Sequence, residues 1–282
     1  MKQNASTIFL VLILIIGLSL LLYPSFSDWW NASRSSQAIA TYSEEVANLD
    51  KEKYDALWDD AWRYNQALLD RPNTYLLEDA MKAEYDRLLN LSGTGIMGYI
   101  EIPRTDTYLP ISHGTDAETL EKSVGHVIGS SLPVGGEGTH TVLSGHSGMS
   151  DQKMFSDLDR LKIGDIFFLD VLGEKLAYQV DQIKTVLPYD TTFLQTEIGN
   201  DLCTLVTCTP FGVNTHRLLV RGTRIEYEEA EVIVEEKLET EEPVKSTWEQ
   251  QYLQGILIGI GAVVILGLGL LIFWYVRRRR NG

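Results

Sequence analysis

Two uninterrupted apolar runs stand at opposite ends of the chain, and between them apolar and polar residues alternate. Residues 7–23 carry no charge, a run at the short end of what spans a hydrocarbon core of about 30 Å. Residues 255–276 are equally uncharged, finish in Phe273, Trp274 and Tyr275, and lead straight into Arg277, Arg278, Arg279 and Arg280. Aromatic residues favour the membrane–water interface and positive residues the cytoplasmic side. The pattern predicts a transmembrane helix at each end: a signal anchor within 1–26, and a stop-transfer helix at 255–276 ahead of a basic tail at 277–282. Both termini are then cytoplasmic and the middle of the chain is extracellular. Small residues at cleavage-site spacing are missing after the first run, where Tyr23, Pro24, Ser25 and Phe26 follow, which favours an uncleaved anchor. Gly255 and Gly259 have the spacing through which one membrane helix associates with another.

Between the runs the period changes twice. From 36 to 69, Ile39, Tyr42, Val46, Leu49, Tyr54, Leu57, Trp58 and Trp62 recur every three or four positions among charged residues, the signature of an amphipathic helix. Asp70-Arg71-Pro72-Asn73 breaks it, because the residue before a proline is biased away from helix. A second helix is expected at 76–91, ended by Ser92-Gly93-Thr94-Gly95, which makes 27–95 a helical annex. The texture then turns to short β-type runs punctuated by Gly and Pro, at 97–102, 108–111, 141–144, 166–171, 176–186, 202–207 and 216–225, with a helical stretch at 154–161. Seven or eight strands so spaced predict a mainly-β domain over 96–225, a closed or nearly closed barrel. Residues 226–249 then hold ten Glu against Lys237 and Lys245, so 226–254 is expected to be an acidic linker, extended or weakly helical.

Composition narrows the function. The 282 residues include 24 Lys and Arg against 39 Asp and Glu, a net charge of -15, and the acidic excess of the middle is larger once Lys2 and the four terminal arginines are set aside. That balance excludes a nucleic-acid binder, which grips phosphates with clustered cations. The whole chain is 44% apolar and 22% charged, close to globular averages, and its outer portion is long enough for one sizeable core. Neither a Gly-rich phosphate loop nor a loop of calcium-site spacing is present, so no cofactor and no metal is expected.

The candidate chemistry lies in the strands. Cys203 and Cys208 are the two cysteines. On one strand, residues five apart point to opposite faces and lie about 16 Å apart, beyond disulfide reach, so both thiols are expected to be free. Cys208 ends its strand, just before Pro210 and Gly212, where a side chain can face a cleft; Cys203 sits in the apolar part and suits a buried hydrophobe. A nucleophilic thiol, with an ordinary pKa of about 8.5, needs a partner that raises its thiolate fraction. Of the five histidines, His146 ends an apolar strand between Gly145 and, two residues on, Gly148; His140 precedes that strand, His113 and His126 lie in other turns, and His216 begins the last strand. Acyl transfer also needs a donor for charge developing on the attacked oxygen. Arg217 fits if residues 209–215 form a loop joining antiparallel strands, which sets Cys208 and Arg217 side by side. Arg221 falls on the same strand face about 13 Å further on.

The segments LSGHSG, TLVTCTPFG and NTHRLLVRG, in that order on an all-β domain, resemble a sortase, a membrane-anchored cysteine transpeptidase of Gram-positive bacteria. The resemblance extends through MGYIEIP, LPISHGT and SLPVGG and covers residues 97–225. With the helical annex and the second membrane helix, the chain is more similar to class C, the pilin-polymerising sortases, than to class A, which usually has the N-terminal anchor alone. The resemblance implies an eight-stranded sortase barrel with Cys208 as nucleophile, His146 as acid and base, and Arg217 as the transition-state arginine. It implies cleavage between Thr and Gly of a Leu-Pro-x-Thr-Gly-like sorting signal through a thioester, then joining to a pilin lysine. The implied partners are pilin subunits and the membrane. Class C members usually carry an Asp-Pro-aromatic lid; the corresponding stretch here reads Asp70-Arg71-Pro72-Asn73-Thr74-Tyr75, which implies a missing or unconventional lid and control by the tethering helices. Two other readings stay open: a wall-anchoring sortase with a peptidoglycan precursor as acceptor, and a catalytically silent, membrane-tethered scaffold. A papain-like protease fits less well, because it places Cys before His and on a helix.

Overall fold

The computed structural model describes residues 2–69, 79–91, 93–149, 152–241, 246–247, 250–261, 263, 265 and 269. The chain divides into two compact units, Tyr23–Val244 and a second joining Met1–Leu22 with Lys245–Gly282. Within the second, the Tyr252 hydroxyl donates to the Leu21 carbonyl. Among the described residues no helix is long and apolar enough to cross a membrane; the spans expected at 7–23 and 255–276 both include residues or side chains outside those described.

The helical pattern over 36–69 belongs to two helices, α1 (Lys2–Ala47) and α2 (Lys51–Leu69). Asp50 makes the break: its carboxylate accepts the Lys53 N–H at 2.8 Å and its carbonyl the Tyr54 N–H at 3.0 Å, so it caps a new helix where the apolar spacing alone runs on. The third helix, α3 (Asp79–Arg87), ends at Arg87 rather than at Leu91; its expected start at 76 and the lid-equivalent stretch at 70–75 lie outside the described residues. Ala61, Tyr64 and Leu68 of α2, Tyr85 of α3, and Leu88 and Leu89 just beyond it are buried in the same apolar cluster as the barrel interior. The Asn65 amide locks the annex on: it donates to the Leu132 carbonyl at 3.1 Å and accepts the Leu132 N–H at 2.7 Å.

The barrel comprises β1 (Ile96–Ile102), β2 (Thr107–His113), a short α4 (Ala117–Leu120), β3 (Val124–His126), β4 (His140–Ser144), β5 (Ile166–Val171), β6 (Glu174–Val186), β7 (Leu202–Thr209) and β8 (His216–Ile225). It closes in the order β1-β2-β3-β4-β7-β8-β6-β5. Two of its pairings, β2 with β3 and β4 with β7, are parallel. Met97, Ile100, Leu143, Phe167, Leu205 and Val220 pack in the core. Gly222, opposite Cys203 in the register, leaves room for the stacked Phe167 and Tyr178 rings; a Cβ there meets Phe167 at 2.7 Å.

Two expectations change. Residues 154–161 are turns followed by a 3-10 turn at Leu158–Arg160 rather than an α-helix. Met154 takes a left-handed φ of 42°, so Met154, Phe155, Leu158 and Leu161 reach the interior without helical backbone. The acidic run forms α5 (Tyr227–Thr240), docked on the barrel wall. Ala230 is fully buried, with Ile233 and Val234 beside Ile166, Phe168 and Ala177. Lys237 pairs with the buried Asp165 at 2.6 Å, and Glu241 with Arg104 at 2.6 Å. The helical alternative therefore applies over 227–240.

Candidate active site

The strand-and-loop arithmetic places Cys208 beside Arg217, and the register agrees: the two are directly paired across β7 and β8. Directly opposite residues of an antiparallel pair project to the same side. Leu218 and Val220 of β8 and Cys203 and Leu205 of β7 lie in the core, so Cys208 and Arg217, on the opposite parity of each strand, face outward at the end of the barrel. Cys208 is half-buried whereas Cys203 is fully buried, and both are free thiols. Burial pushes the Cys203 thiol well above its ordinary value, with the charge of Asp201 adding to the effect. Of the two it is the inert one.

Arg217 is held by its own loop. Its Nη1 donates to the His216 carbonyl at 3.1 Å and the Asn214 carbonyl at 3.4 Å, which orients the guanidinium while leaving further N–H donors for an incoming oxygen. Arg221, the other arginine on this face, is committed elsewhere. It lies between Asp181 at 2.7 Å and Glu197 at 2.6 Å.

His146 arrives from a third strand. The parallel register of β4 with β7 runs to Ser144 opposite Val206, and the Gly145 N–H continues it by donating to the Val206 carbonyl at 3.0 Å. Two side chains then fasten the strand ends together: Thr207 Oγ1 donates to the Gly145 carbonyl at 2.7 Å, and Ser147 Oγ to the Cys208 carbonyl at 2.9 Å. His146 is thus bracketed by residues bonded to the segment that ends in Cys208. Gly145 is required by packing, since a Cβ there would sit 2.6 Å from the Phe155 ring. Phe155 in turn donates its N–H to the His146 carbonyl at 3.0 Å. Ser147, Thr207 and Phe155 were not anticipated from sequence. The available signal was a hydroxyl residue beside each of the two candidate groups.

The remaining histidines have other work. His126 is fully buried, with Nδ1 3.0 Å from the Tyr85 hydroxyl and Nε2 2.8 Å from the Ser131 carbonyl, and burial pulls its pKa down to about 4. His140 is also buried and shifted down by desolvation, between Thr204 Oγ1 and the Gln195 carbonyl, each at 2.7 Å. His113 spans the Gly95 and Leu88 carbonyls, and His216 contacts Thr215 at the surface. His146 is the one whose two neighbours, Gly145 and Ser147, are bonded through side-chain hydroxyls to Thr207 and Cys208. Among the described residues no group of His, Cys, Asp and Glu is placed to share a metal ion. A half-buried thiol, an imidazole and a guanidinium at one strand end are suited to acyl transfer.

Comparison with known proteins points the same way. Residues 100–225 match the family described as the sortase domain. The chain is similar to Sortase D of Bacillus subtilis (strain 168), 34% identical over 131 residues; the match spans 45% of this chain and 63% of that protein. Among solved structures it resembles sortase C1 from Streptococcus agalactiae, with 45% identity, a TM-score of 0.66, and coverage of 67% of this chain and 98% of that one. It also resembles Streptococcus pneumoniae sortase C, described with respect to catalysis and pilin substrate specificity, with 43% identity, a TM-score of 0.62, and coverage of 68% and 97%.

Proposed function

This chain belongs to the sortase family, and we propose that it is a membrane-tethered cysteine transpeptidase that joins pilin subunits. The observation that carries this reading is the three-strand convergence. Cys208 and Arg217 are register partners on β7 and β8, and Ser147, next to His146, is bonded to the Cys208 carbonyl. The similarity to sortase C structures supports the pilin assignment.

In this reading the Cys208 thiolate attacks the carbonyl carbon of Thr in a Leu-Pro-x-Thr-Gly-like signal. The oxygen that gains charge is stabilised by the Arg217 guanidinium. His146 protonates the departing Gly amine as the C–N bond breaks, leaving a thioester on Cys208. A pilin lysine ε-amine then attacks that thioester while His146 takes its proton. The products are an isopeptide bond and a regenerated thiolate. Bonding through Ser147 and Thr207 keeps the strand ends in register through both half-reactions, a positioning effect.

The uncharged runs at 7–23 and 255–276, with the arginines at 277–280, support a cell-membrane location with the catalytic domain outside and both ends cytoplasmic. The sequence at 70–75 has no Asp-Pro-aromatic triplet, which supports control by the tethering helices in place of such a lid.

Intact mass tests the reading. Full-length protein and Cys208→Ala are incubated with a Leu-Pro-x-Thr-Gly peptide. An adduct equal to the acyl fragment, in wild type alone, is expected. No adduct in either overturns the transpeptidase assignment in favour of a silent scaffold. Lysine-linked pilin ladders separate the pilin acceptor from a wall precursor, which yields monomers on the wall.

A further inference from the structure

We propose that Asp28 is a positioning residue for His146: its carboxylate, on α1, holds the loop that carries the histidine. The proposal rests on the reading of His146 as the acid–base group.

The described residues of the loop, 145–149 and 152–157, are fastened at several points. Asp28 Oδ1 accepts the Lys153 N–H at 2.9 Å. Two residues on, the Phe155 N–H donates to the His146 carbonyl at 3.0 Å, and the Phe155 ring packs on Gly145. One short segment thus links the carboxylate to the histidine backbone. The other ties come from the barrel side or from the loop itself. Lys153 Nζ reaches the Thr105 carbonyl at 2.7 Å and Asp157 at 3.1 Å, Gln152 donates to the Glu121 carbonyl at 2.6 Å, and the Gly148 N–H donates to Ser156 Oγ at 3.1 Å. Asp28 brings in α1.

Further along α1, the Tyr42 hydroxyl donates to the Met97 carbonyl at 3.0 Å and accepts the Leu172 N–H at 2.7 Å. The two fixings are about 21 Å apart along the helix, at 1.5 Å per residue. Between them, before Ile39 is buried, α1 borders a cavity of about 480 Å³, with Asn31, Arg34 and Ala38 on the helix side and Pro110, His113 and Gln152 also lining it. Beside that cavity the polar contact at Asp28 joins helix to loop. A hydrogen bond to a charged acceptor is about twice as strong as a neutral one, enough to select one loop position. Displacement of α1 is thereby felt at the His146 backbone.

The test uses full-length protein in detergent micelles and a Leu-Pro-x-Thr-Gly reporter peptide. Asp28→Ala lowers kcat about tenfold, less than the ~10²-fold that a 1 Å misplacement costs, and leaves KM unchanged. Asp28→Asn keeps an accepting oxygen and returns kcat to within about twofold of wild type. Hydrogen exchange at the Lys153 amide, which needs no activity, speeds up in the Ala variant and not in the Asn variant, while the Leu172 amide at Tyr42 stays protected in both. Unchanged kcat and unchanged Lys153 exchange in Asp28→Ala overturn the proposal, as does a loss of kcat that Asn fails to restore. If His146→Ala retains full activity, the functional reading fails instead, and Lys153 exchange still decides whether Asp28 holds the loop.

Discussion

His126 and His146 stand on the same barrel and have opposite surroundings. At the annex end, His126 has no exposed surface and both ring nitrogens are engaged. The Ser131 carbonyl can only accept, so Nε2 carries the proton and Nδ1 accepts from Tyr85. At the catalytic end, His146 is half-buried and its fixings are to its backbone and neighbours. Among the described residues its ring has no hydrogen-bond partner. The fold gives full pairing to the buried imidazole of His126 and withholds it from that of His146, the acid–base group of the proposed mechanism. The same division separates Cys203 from Cys208 and Arg221 from Arg217.

The arginine pair gives the sharpest break. In the proposed mechanism Arg217→Ala removes a donor from the developing oxyanion, and it is expected to lower kcat/KM by about 10²–10³-fold, with little change in thermal midpoint. Arg221→Ala is expected to leave the rate within about twofold and to lower stability by about 1 kcal/mol, since Asp181 and Glu197 are partly exposed and such pairs contribute little in water. Steady-state kinetics and melting curves on both variants check this, and the comparison fails if the two arginines exchange behaviours.

A smaller effect tests the annex end. The folded-state pKa of His126 is depressed, from an ordinary 6.5 to about 4. Between those values the unfolded chain holds a proton that the folded chain refuses, so stability rises with pH. The contribution is complete above about pH 6.5 and is lost as the pH falls through 4, roughly 3 kcal/mol in all. His140 is shifted in the same direction. The urea midpoint is therefore expected to fall across that window, and His126→Gln, which keeps a donor and an acceptor without titrating, to flatten part of the slope while leaving kcat at neutral pH near wild type. An unchanged slope would remove His126 from the account.

What could be read from the chain follows from how local each feature is. The alternating runs located seven strands, and a loop of seven residues between two of them was enough to set Cys208 beside Arg217. The pairing that brings in His146 is parallel and joins residues about sixty positions apart, which periodicity does not encode; only the resemblance named that histidine. β3 has three residues, too few to show a period. The stretch 154–161 has helical spacing yet fills the core from turns, because Met154 and Phe155 answer to contacts across the chain. In α5 the dense glutamates masked a narrow stripe of Ala230, Ile233 and Val234.

That acidic helix offers the mildest test, a polar contact that serves docking rather than catalysis. Lys237 is partly exposed while Asp165 is 1% exposed, so Lys237→Ala leaves a buried carboxylate that still accepts the Lys162 N–H at 2.8 Å. One retained bond softens the loss to about 1–2 kcal/mol. The exposed Lys122–Glu118 pair, 2.8 Å long and four residues apart on one surface, should cost no more than about 0.5 kcal/mol when broken. Hydrogen exchange over 227–240 is expected to rise in Lys237→Ala and not in Lys122→Ala, with kcat unchanged in both. If Lys237→Ala instead slows turnover, α5 is coupled to the catalytic end, and the separation between the structural wall and the reactive rim no longer holds.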